Sequence, residues 1–254
     1  MIRFASLGSG SKGNALLVES RDCRVVVDCG FTLKELEQRL SDHGVDPQTL
    51  DALVVTHEHG DHSKGIAPLV RRYGLPVWMT YGTSRSCKGN YDRRLFHAAD
   101  GGFSLKDLEI TPYTVPHDSR EPCQYLFTSG GVTLGVLTDT GMLTPHINEI
   151  LSIADALVLE CNHDETMLAQ GPYPPRLKAR VGGIHGHLSN RQAAELLKHL
   201  DCSRLQHLAA AHLSEKNNHP DKAKTALLDA APEIEDRLSL FEQDSASRWM
   251  EVVA

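Results

Sequence analysis

The sequence predicts an α+β fold in which two mixed β-sheets pack face to face with helices outside. Short apolar runs rich in valine, isoleucine and leucine recur along the chain, which indicates strands. Helical segments are interspersed among these runs, and that order of elements is typical of layered sheets and helices. The chain has 254 residues, of which 41% are hydrophobic and 23% charged. These values are ordinary for a globular protein with a sizeable core, and we expect residues 1–254 to form one domain.

Strands dominate the first third of the chain. The strand-like runs there are IRFASL (2–7), ALLVE (15–19), RVVVD (24–28) and ALVVT (52–56). Between them, residues 33–43 are predicted to be helical, because leucines 33, 36 and 40 share one face and a glycine follows. A second helix is predicted over 63–73, followed by a strand over 76–80.

The remaining two thirds alternate between the two kinds of element. Strands are predicted at 109–115, 123–129, 132–139, 155–160 and 205–211, with closing strands in LSLF and RWMEVV. Helices are predicted at 142–151, 163–169, 189–200 and 218–230. The stretches 81–102 and 170–184 are predicted to be irregular.

Composition excludes several classes of protein. No segment approaches 18 consecutive apolar residues, so no transmembrane helix is expected. The first residues lack the pattern of a signal peptide, and the six cysteines are scattered without a CxxC pair, so we expect a cytoplasmic protein without disulfides. The net charge of -7 argues against a generic nucleic-acid coat.

A dense cluster of metal-type ligands follows the run ALVVT. The sequence HEHGDH (57–62) supplies three histidines and one aspartate, a density that favours a metal site. Other histidines and acids of interest also stand just after predicted strands: His117, Asp139 and His212. Strand ends that open at one edge can converge on one point, although a lone histidine is more often an ordinary core or surface residue.

Together these residues could hold two ions. The seven candidate ligands are His57, His59 and His117 for the first ion, Asp61, His62 and His212 for the second, and Asp139 as a bridge. Nitrogen and carboxylate ligands of this kind suit Zn²⁺, and also Mn²⁺ or Fe²⁺. Asp28, at another strand end, would hydrogen-bond a histidine ligand or the ligand loop, or else cap a turn.

The order of these motifs, from Asp28 through HEHGDH to His117, Asp139 and His212, resembles the five-motif signature of the metallo-β-lactamase fold superfamily. The resemblance covers nearly the whole chain and implies a four-layer αββα sandwich with a dinuclear site at one edge. An aspartate rather than a cysteine at position 139 is similar to the glyoxalase and phosphodiesterase branches. Because the superfamily is chemically diverse, the fold alone does not identify a substrate.

Four further segments narrow the family: SLGSGSKGN (6–14), LECNHD (159–164), GHLSN (186–190) and AHLSEKNN (211–218). They resemble the YycJ/WalJ exonuclease family, which implies 5′-to-3′ hydrolysis of DNA with DNA 5′ ends as the substrate. Two alternatives stay open: a phosphodiesterase for small or cyclic phosphates, and a thioester or lactone hydrolase. An open, locally basic groove would favour DNA, whereas a closed pocket would favour a small molecule.

The same segments supply candidate catalytic and substrate-binding residues. In the hypothesis, Asp61 orients a metal-bridging hydroxide, and His187 binds the scissile phosphate or protonates the leaving oxygen. The candidate substrate contacts are Ser9, Ser11, Asn14, Asn162, His163 and Ser214. The alternative for the glycine- and serine-rich loop is a tight hairpin, and for His187, Asn162 and His163 it is local capping.

Basic residues occur in local groups that could contact a DNA backbone. The strongest candidates for such contacts are Arg71, Arg72, Arg93 and Arg94. Another group comprises Arg176, Lys178 and Arg180. For any single group, solvated surface charge is the more common explanation, and the negative net charge favours a narrow footprint.

Overall fold

Two mixed β-sheets form the framework of the computed structural model, which describes residues 1–87, 89 and 94–254. Within these residues each sheet has seven strands. The first sheet has the order β14 (Met250–Val252), β1 (Ile2–Gly8), β2 (Ala15–Glu19), β3 (Arg24–Val27), β4 (Ala52–Val54), β5 (Val77–Met79) and β6 (Arg94–Phe96). The second has the order β13 (Leu238–Leu240), β12 (His207–Ala211), β11 (Ala156–Glu160), β10 (Val132–Leu137), β9 (Cys123–Ser129), β8 (Leu108–Thr114) and β7 (Phe103–Leu105).

Helices connect the strands and cover the sheets. They are α1 (Leu33–Asp42), α2 (Gly60–Ser63), α3 (Ile66–Tyr73), α4 (Tyr81–Ser86), α5 (Pro145–Leu151), α6 (Glu165–Gln170), α7 (Pro175–Val181), α8 (Asn190–Leu197) and α9 (Pro220–Ala230). Short 3-10 turns occur at Pro47–Thr49 and Pro232–Arg237. The helix α1 begins with a capping box in which Thr32 and Glu35 satisfy each other's backbone N–H groups.

Three apolar clusters separate the layers. The central cluster lies between the sheets and contains Phe4 and Val25 from the first sheet with Tyr125 and Phe127 from the second. A second cluster packs α1 and α3 on the outer face of the first sheet, and a third packs α5, α8 and α9 on the outer face of the second. Successive residues of one strand pack into different clusters, since side chains alternate between the two faces of a sheet. The result is the predicted αββα sandwich.

Parallel strands place many loops at one edge of the sandwich. Strands β3, β4 and β5 are parallel in the first sheet, and β10, β11 and β12 are parallel in the second. The loops that follow β3 and β4 and those that follow β10, β11 and β12 carry the predicted ligands or their neighbours. Convergence of these strand ends therefore builds the site.

Most predicted elements are confirmed, with three corrections. The predicted helix 63–73 starts later, at Ile66 in α3, and Ser63 belongs to the separate short helix α2; the two are interrupted where the Gly65 N–H donates to the Cys29 carbonyl at 2.9 Å instead of to a helical carbonyl. The stretch 81–102 contains α4 and β6 among its described residues rather than being irregular. The stretch 170–184 contains α7, which starts at Pro175 and buries no side chain fully, so apolar periodicity could not reveal it.

Candidate metal centre

The strand ends that carry the predicted ligands have unusual backbone geometry. Asp28, Asp139 and His212 each follow a strand and adopt positive φ angles of 61°, 52° and 56°. Residues other than glycine rarely adopt this left-handed conformation, and such residues cluster at functional sites. In each case the conformation produces a sharp turn in the chain at the edge of the sandwich that carries the predicted ligands.

The loop HEHGDH is fixed on both sides by backbone hydrogen bonds. The N–H of Asn14 donates to the carbonyl of Asp61 at 2.8 Å, and the N–H of Cys29 donates to the carbonyl of His62 at 2.7 Å. Gly30 lies directly against this loop, and a Cβ on it would be 1.7 Å from the Asp61 carbonyl oxygen. The loop therefore rests on the turn after β3 and on the end of the glycine- and serine-rich loop.

The first predicted ligand group is assembled in the structure. Nitrogen atoms of His57, His59 and His117 all lie within 4.8 Å of one another. The His117 Nε2 is 3.1 Å from the His59 Nδ1, and the His117 Nδ1 is 3.0 Å from the carbonyl oxygen of Gly186. That carbonyl accepts from Nδ1–H and so leaves the His117 Nε2 free to bind an ion.

The second predicted group lies beside the first. Asp61 Oδ2 is 3.6 Å from both His62 Nε2 and His212 Nε2. The buried Asp139 carboxylate stands between the groups, with Oδ2 3.3 Å from His62 Nε2 and Oδ1 3.4 Å from His212 Nε2. Its Oδ1 is also 4.0 Å from His117 Nε2. Asp139 thus occupies the position that a bridging ligand would need.

Unsatisfied polar atoms show that these residues fit metal ions. His57 Nε2, His212 Nε2 and Asp139 Oδ2 are buried and have no hydrogen-bond partner among the described residues. A buried polar atom without a partner is costly, and three of them pointing into one cluster are what a metal shell would leave when no ion is present. The donor set of imidazole and carboxylate suits zinc, manganese or iron.

Burial and neighbouring charges shift the pKa values of the candidate ligands in different directions. Burial lowers the pKa of His62 and of His212, but Asp139 and the other nearby carboxylates outweigh it, so the pKa of His62 lies well above its ordinary value and that of His212 is raised to about 9. Burial lowers the pKa of His57 well below its ordinary value, so its ring stays neutral. Burial raises the pKa of Asp61, but the neighbouring His62 and His212 outweigh this effect and bring the pKa to about 2. Asp61 is therefore a carboxylate at neutral pH.

Asp28 supports the ligand loop from beneath. Its carboxylate accepts hydrogen bonds from the Thr56 N–H at 2.9 Å and the Thr56 hydroxyl at 2.7 Å. The same carboxylate lies 2.8 Å from His62 Nδ1. Acceptance from Nδ1–H directs the His62 Nε2 toward Asp61 and Asp139. This geometry is that of a residue that orients a histidine ligand, as predicted in one of the two interpretations of Asp28.

Glu160 is a site residue that the sequence reasoning missed. It ends β11 and is fully buried, and its Oε1 lies 2.7 Å from His187 Nδ1. Its Oε2 accepts from the backbone N–H groups of Leu188 and Thr140, both at 3.1 Å. A signal was present, since an acid closes the apolar run ALVLE just as Asp28 closes RVVV. The carboxylate fixes the ring of His187 at the wall of the site.

The glycine- and serine-rich loop is a hairpin that also supports ligands. It joins the antiparallel strands β1 and β2, as the hairpin alternative predicted. The buried Ser9 hydroxyl accepts from the His212 N–H at 2.8 Å, and the Asn14 side chain lies 3.1 Å from His62 Nε2. Ser11 is exposed and lines the cavity above the ligands. The structure therefore brings Ser11 to the place where a substrate would enter.

The other candidate substrate contacts are buried behind the ligands. The Asn162 amide donates to the His212 carbonyl at 3.0 Å, and the Ser214 N–H donates to the Asn162 carbonyl at 2.9 Å. His163 is buried and forms a β-bridge with Ser189. These contacts give the three residues a role in holding the strand ends, and the residues that line the cavity do not include them. Their direct contact with substrate stays a prediction.

The arginines predicted to contact DNA are not gathered at this edge. Helix α3 carries the chain from the ligand loop to the start of β5, so Arg71 and Arg72 in its last turn lie toward the opposite edge. Arg94 pairs with Val77 at the start of β5 and lies on that side as well. Arg93 lies outside the described residues. The cavity of about 320 Å³ over the ligands is instead lined by Arg180.

Comparison with known proteins agrees with this architecture. Residues 23–208 match the model of the beta-lactamase superfamily domain. The chain belongs to the metallo-β-lactamase fold superfamily. It is 32% identical over 231 residues to the exodeoxyribonuclease YycJ of Bacillus anthracis, an alignment that covers 89% of this chain and 88% of that protein. It is 31% identical over 233 residues to the exodeoxyribonuclease WalJ of Streptococcus pneumoniae strain D39, covering 89% and 87%.

A solved structure shows the same fold. The metallo-β-lactamase fold protein YhfI from Bacillus subtilis superimposes with a TM-score of 0.76 at 18% identity, covering 98% of this chain and all of that one. These findings confirm the predicted fold and family, and the chain is a metal-dependent hydrolase. In the part of the chain that the structure describes, no helix has the length and hydropathy to cross a membrane.

Proposed function

We propose that this protein is a phosphodiesterase that uses two divalent metal ions to remove nucleotides from the 5′ end of DNA. The observation that carries the proposal is the position of Asp139, whose two oxygens lie 3.3 Å and 3.4 Å from histidines of the second ligand group and which also approaches the first. A carboxylate shared by two ions suits in-line displacement at phosphorus. The names of the two relatives supply the expectation that the diester is DNA.

The seven predicted ligands would hold the ions in the two groups described above. When bound, two Zn²⁺ or Mn²⁺ ions, or Fe²⁺, would activate water at neutral pH and neutralise charge on the phosphoryl oxygens. The fit of the site rests on its unpartnered atoms at His57, His212 and Asp139.

The protein's own groups would then position and move protons. Asp61 is an ionised carboxylate that lines the cavity, so its Oδ atoms can orient the attacking water and accept its proton. His187 lines the same cavity, and Glu160 accepts a hydrogen bond from its Nδ1–H. A His187 ring that carries both protons has its Nε2–H available for the leaving oxygen. Glu160 fixes the plane of the ring.

A second candidate is hydrolysis of a small or cyclic phosphodiester. The cavity of about 320 Å³ is at the lower end of the range for small-molecule sites, which is the observation that favours this candidate. Both candidates need the same ions and the same His187. They differ in whether the substrate extends beyond the cavity.

Hydrolysis of a 5′-phosphorylated, end-labelled DNA duplex with added Mn²⁺ tests the proposal. Stepwise release of nucleotides from the 5′ end by the wild-type protein, absent in Asp139→Ala, is the expected result. If the same preparation hydrolyses bis(p-nitrophenyl) phosphate but leaves DNA intact, the metal centre stands and the DNA substrate is wrong. Cyclic nucleotides would then be the next substrates to measure.

A further inference from the structure

Helix α7 is a basic segment whose placement the proposed reaction does not yet explain. It carries Arg176, Lys178 and Arg180 within seven residues, and no residue of it is buried. Its last turn forms part of the cavity over the ligands, whose wall Arg180 and Val181 share with Asp61 and His59. Among the basic groups in the described part of the chain, this one supplies the arginine that lines the site.

Arg180 is held in place by a carboxylate of the site. Its Nε donates to Asp118 Oδ2 at 2.5 Å, while Asp118 Oδ1 lies 3.8 Å from His59 Nε2 and 3.7 Å from His117 Nε2. Nε is the one guanidinium nitrogen of Arg180 with a hydrogen-bond partner in the described residues. A guanidinium has five N–H donors, so four remain for a ligand. The Arg180 side chain is 56% exposed, which places these donors at the mouth of the cavity.

Backbone contacts fix α7 against the site. The His187 N–H donates to the Val181 carbonyl at 2.9 Å, and the Asp118 N–H donates to the His185 carbonyl at 2.9 Å. A Cβ on Gly186 would lie 2.2 Å from the carbonyl oxygens of both Arg180 and Val181, so only glycine permits this approach. The position of Arg180 is therefore tied to that of His187, and the side chain does not need to search a large volume to meet a substrate.

The charge around the cavity indicates what Arg180 would bind. Its wall also carries three carboxylates, Asp61, Asp118 and Asp139, and two of them are ligand candidates. The ions would sit on the floor with the buried ligand atoms, whereas Arg180 stands at the rim. An anion that carries several negative groups can contact both places at once through different groups. A nucleic-acid backbone has this character, because each nucleotide adds a phosphate.

We propose that Arg180, positioned by Asp118, binds a phosphate that neighbours the one being hydrolysed. This inference rests on the proposed function and specifies how a polynucleotide is distinguished from a simple diester. The guanidinium fork of Arg180 matches two oxygens of one phosphate, a geometry that lysine cannot reproduce. Arg180 contributes to binding and register rather than to the chemical step, so its loss raises KM and leaves kcat nearly unchanged.

Two substrates test the inference in the Mn²⁺-loaded protein. One is a 5′-phosphorylated single-stranded 20-mer, and the other is bis(p-nitrophenyl) phosphate, which has no neighbouring phosphate. For Arg180→Ala, kcat/KM on the 20-mer is expected to fall about tenfold through KM, as for loss of a charge-assisted hydrogen bond. The slope of log(kcat/KM) against log[salt] becomes shallower by about 0.7. Hydrolysis of bis(p-nitrophenyl) phosphate changes by less than about twofold, and Arg180→Lys is intermediate on the 20-mer.

Arg191→Ala is the matched control. Arg191 is also an exposed arginine paired with a carboxylate, since its guanidinium contacts Glu165 at 3.0 Å and its side chain is 70% exposed, but it does not line the cavity. Its substitution should leave both activities and the salt slope unchanged.

A double-mutant cycle tests the role of Asp118. Asp118→Ala should raise KM for the 20-mer in the wild-type background and have a smaller effect on KM in Arg180→Ala, because the arginine it positions is then absent. Metal content is measured in each variant, since Asp118 approaches His59 and His117. Additive effects of the two substitutions on KM would show that Asp118 does not position Arg180.

The possible results separate this inference from the proposed function. Equal losses on both substrates in Arg180→Ala would place Arg180 at the scissile phosphate, and no loss on either would remove it from substrate binding. Each of these results overturns the inference while leaving the exonuclease proposal intact. A wild-type protein that cleaves neither the 20-mer nor the 5′-phosphorylated duplex overturns the proposed function and this inference together; if it cleaves only the duplex, the same comparison of variants is made on the duplex. Selective loss on the 20-mer supports both.

Discussion

Gly30→Ala should disable the site through backbone displacement alone. Gly30 follows β3 and is not a candidate ligand, yet it lies against the ligand loop. A Cβ at this position would be 1.7 Å from the Asp61 carbonyl oxygen and 2.5 Å from the Asn14 nitrogen. Both neighbours are backbone atoms, and they are joined by a hydrogen bond of 2.8 Å. Neither can rotate away as a flexible side chain would.

The size of the effect follows from the distance that must be gained. Side-chain carbons essentially never approach other atoms closer than 3.0 Å, and the alanine Cβ would fall 1.3 Å short of that distance. Asp61 and the ligand loop must therefore move by about 1 Å or more, and a misplacement of that size costs about 100-fold in rate. Overpacking of this kind also lowers the free energy of unfolding by about 1–3 kcal/mol, which leaves a stable domain folded.

Turnover of bis(p-nitrophenyl) phosphate with Mn²⁺ measures the loss, and thermal unfolding followed by circular dichroism shows that the variant is folded. Gly60→Ala is the control, because Gly60 belongs to the same loop and a Cβ there meets nothing within 4 Å. We expect Gly60→Ala to retain activity within a few-fold. A folded Gly30→Ala protein with wild-type turnover would refute the idea that the turn after β3 sets the position of the ligand loop.

Three other predictions concern buried groups. Asp28→Ala removes the acceptor that orients His62 Nδ1–H, and it should weaken Mn²⁺ binding about 10- to 100-fold in a chelator competition; unchanged affinity would reduce Asp28 to a turn cap. Glu160→Gln keeps an acceptor for the His187 ring but removes the negative charge of the carboxylate. We therefore expect kcat to fall about tenfold or more with little change in metal content. An unchanged kcat would count against His187 as the proton donor. All six cysteines are buried, and burial raises the pKa of Cys29 to about 12. Ellman's reagent should therefore react with none of them in the native protein and with six after unfolding. Rapid labelling of the native protein would show that the core is more open than described.

Much of the fold could be predicted because the local signals agree with the tertiary structure. The apolar run RVVV and the amphipathic segment LKELEQRLSD bury the residues that their periodicity selects, with Leu36 and Leu40 inside. Helix α7 could not be predicted in this way. It covers a site rather than a core, so it has no apolar stripe, and its local signals are confined to its ends: Pro175 at the first position, and basic residues in the last turn followed by Gly182.

Some site residues likewise have a local signal in the sequence and others have none. The ligand candidates are recognisable because HEHGDH concentrates them and strand ends repeat the pattern, and the structure brings all seven together. Glu160 was missed because a single acid at a strand end resembles a cap. The pair of Asp118 and Arg180 leaves no local signal, because 62 residues separate two ordinary charges that meet only in the folded chain.

Metal stoichiometry tests the two-metal centre most directly. The protein is saturated with Mn²⁺ or Zn²⁺ and desalted, and the metal bound per chain is measured by mass spectrometry for the wild type and for Asp139→Ala. We expect two ions per wild-type chain and fewer in the variant, because Asp139 stands between both ligand groups. A wild-type chain that binds at most one ion under saturating conditions would contradict the two-metal centre.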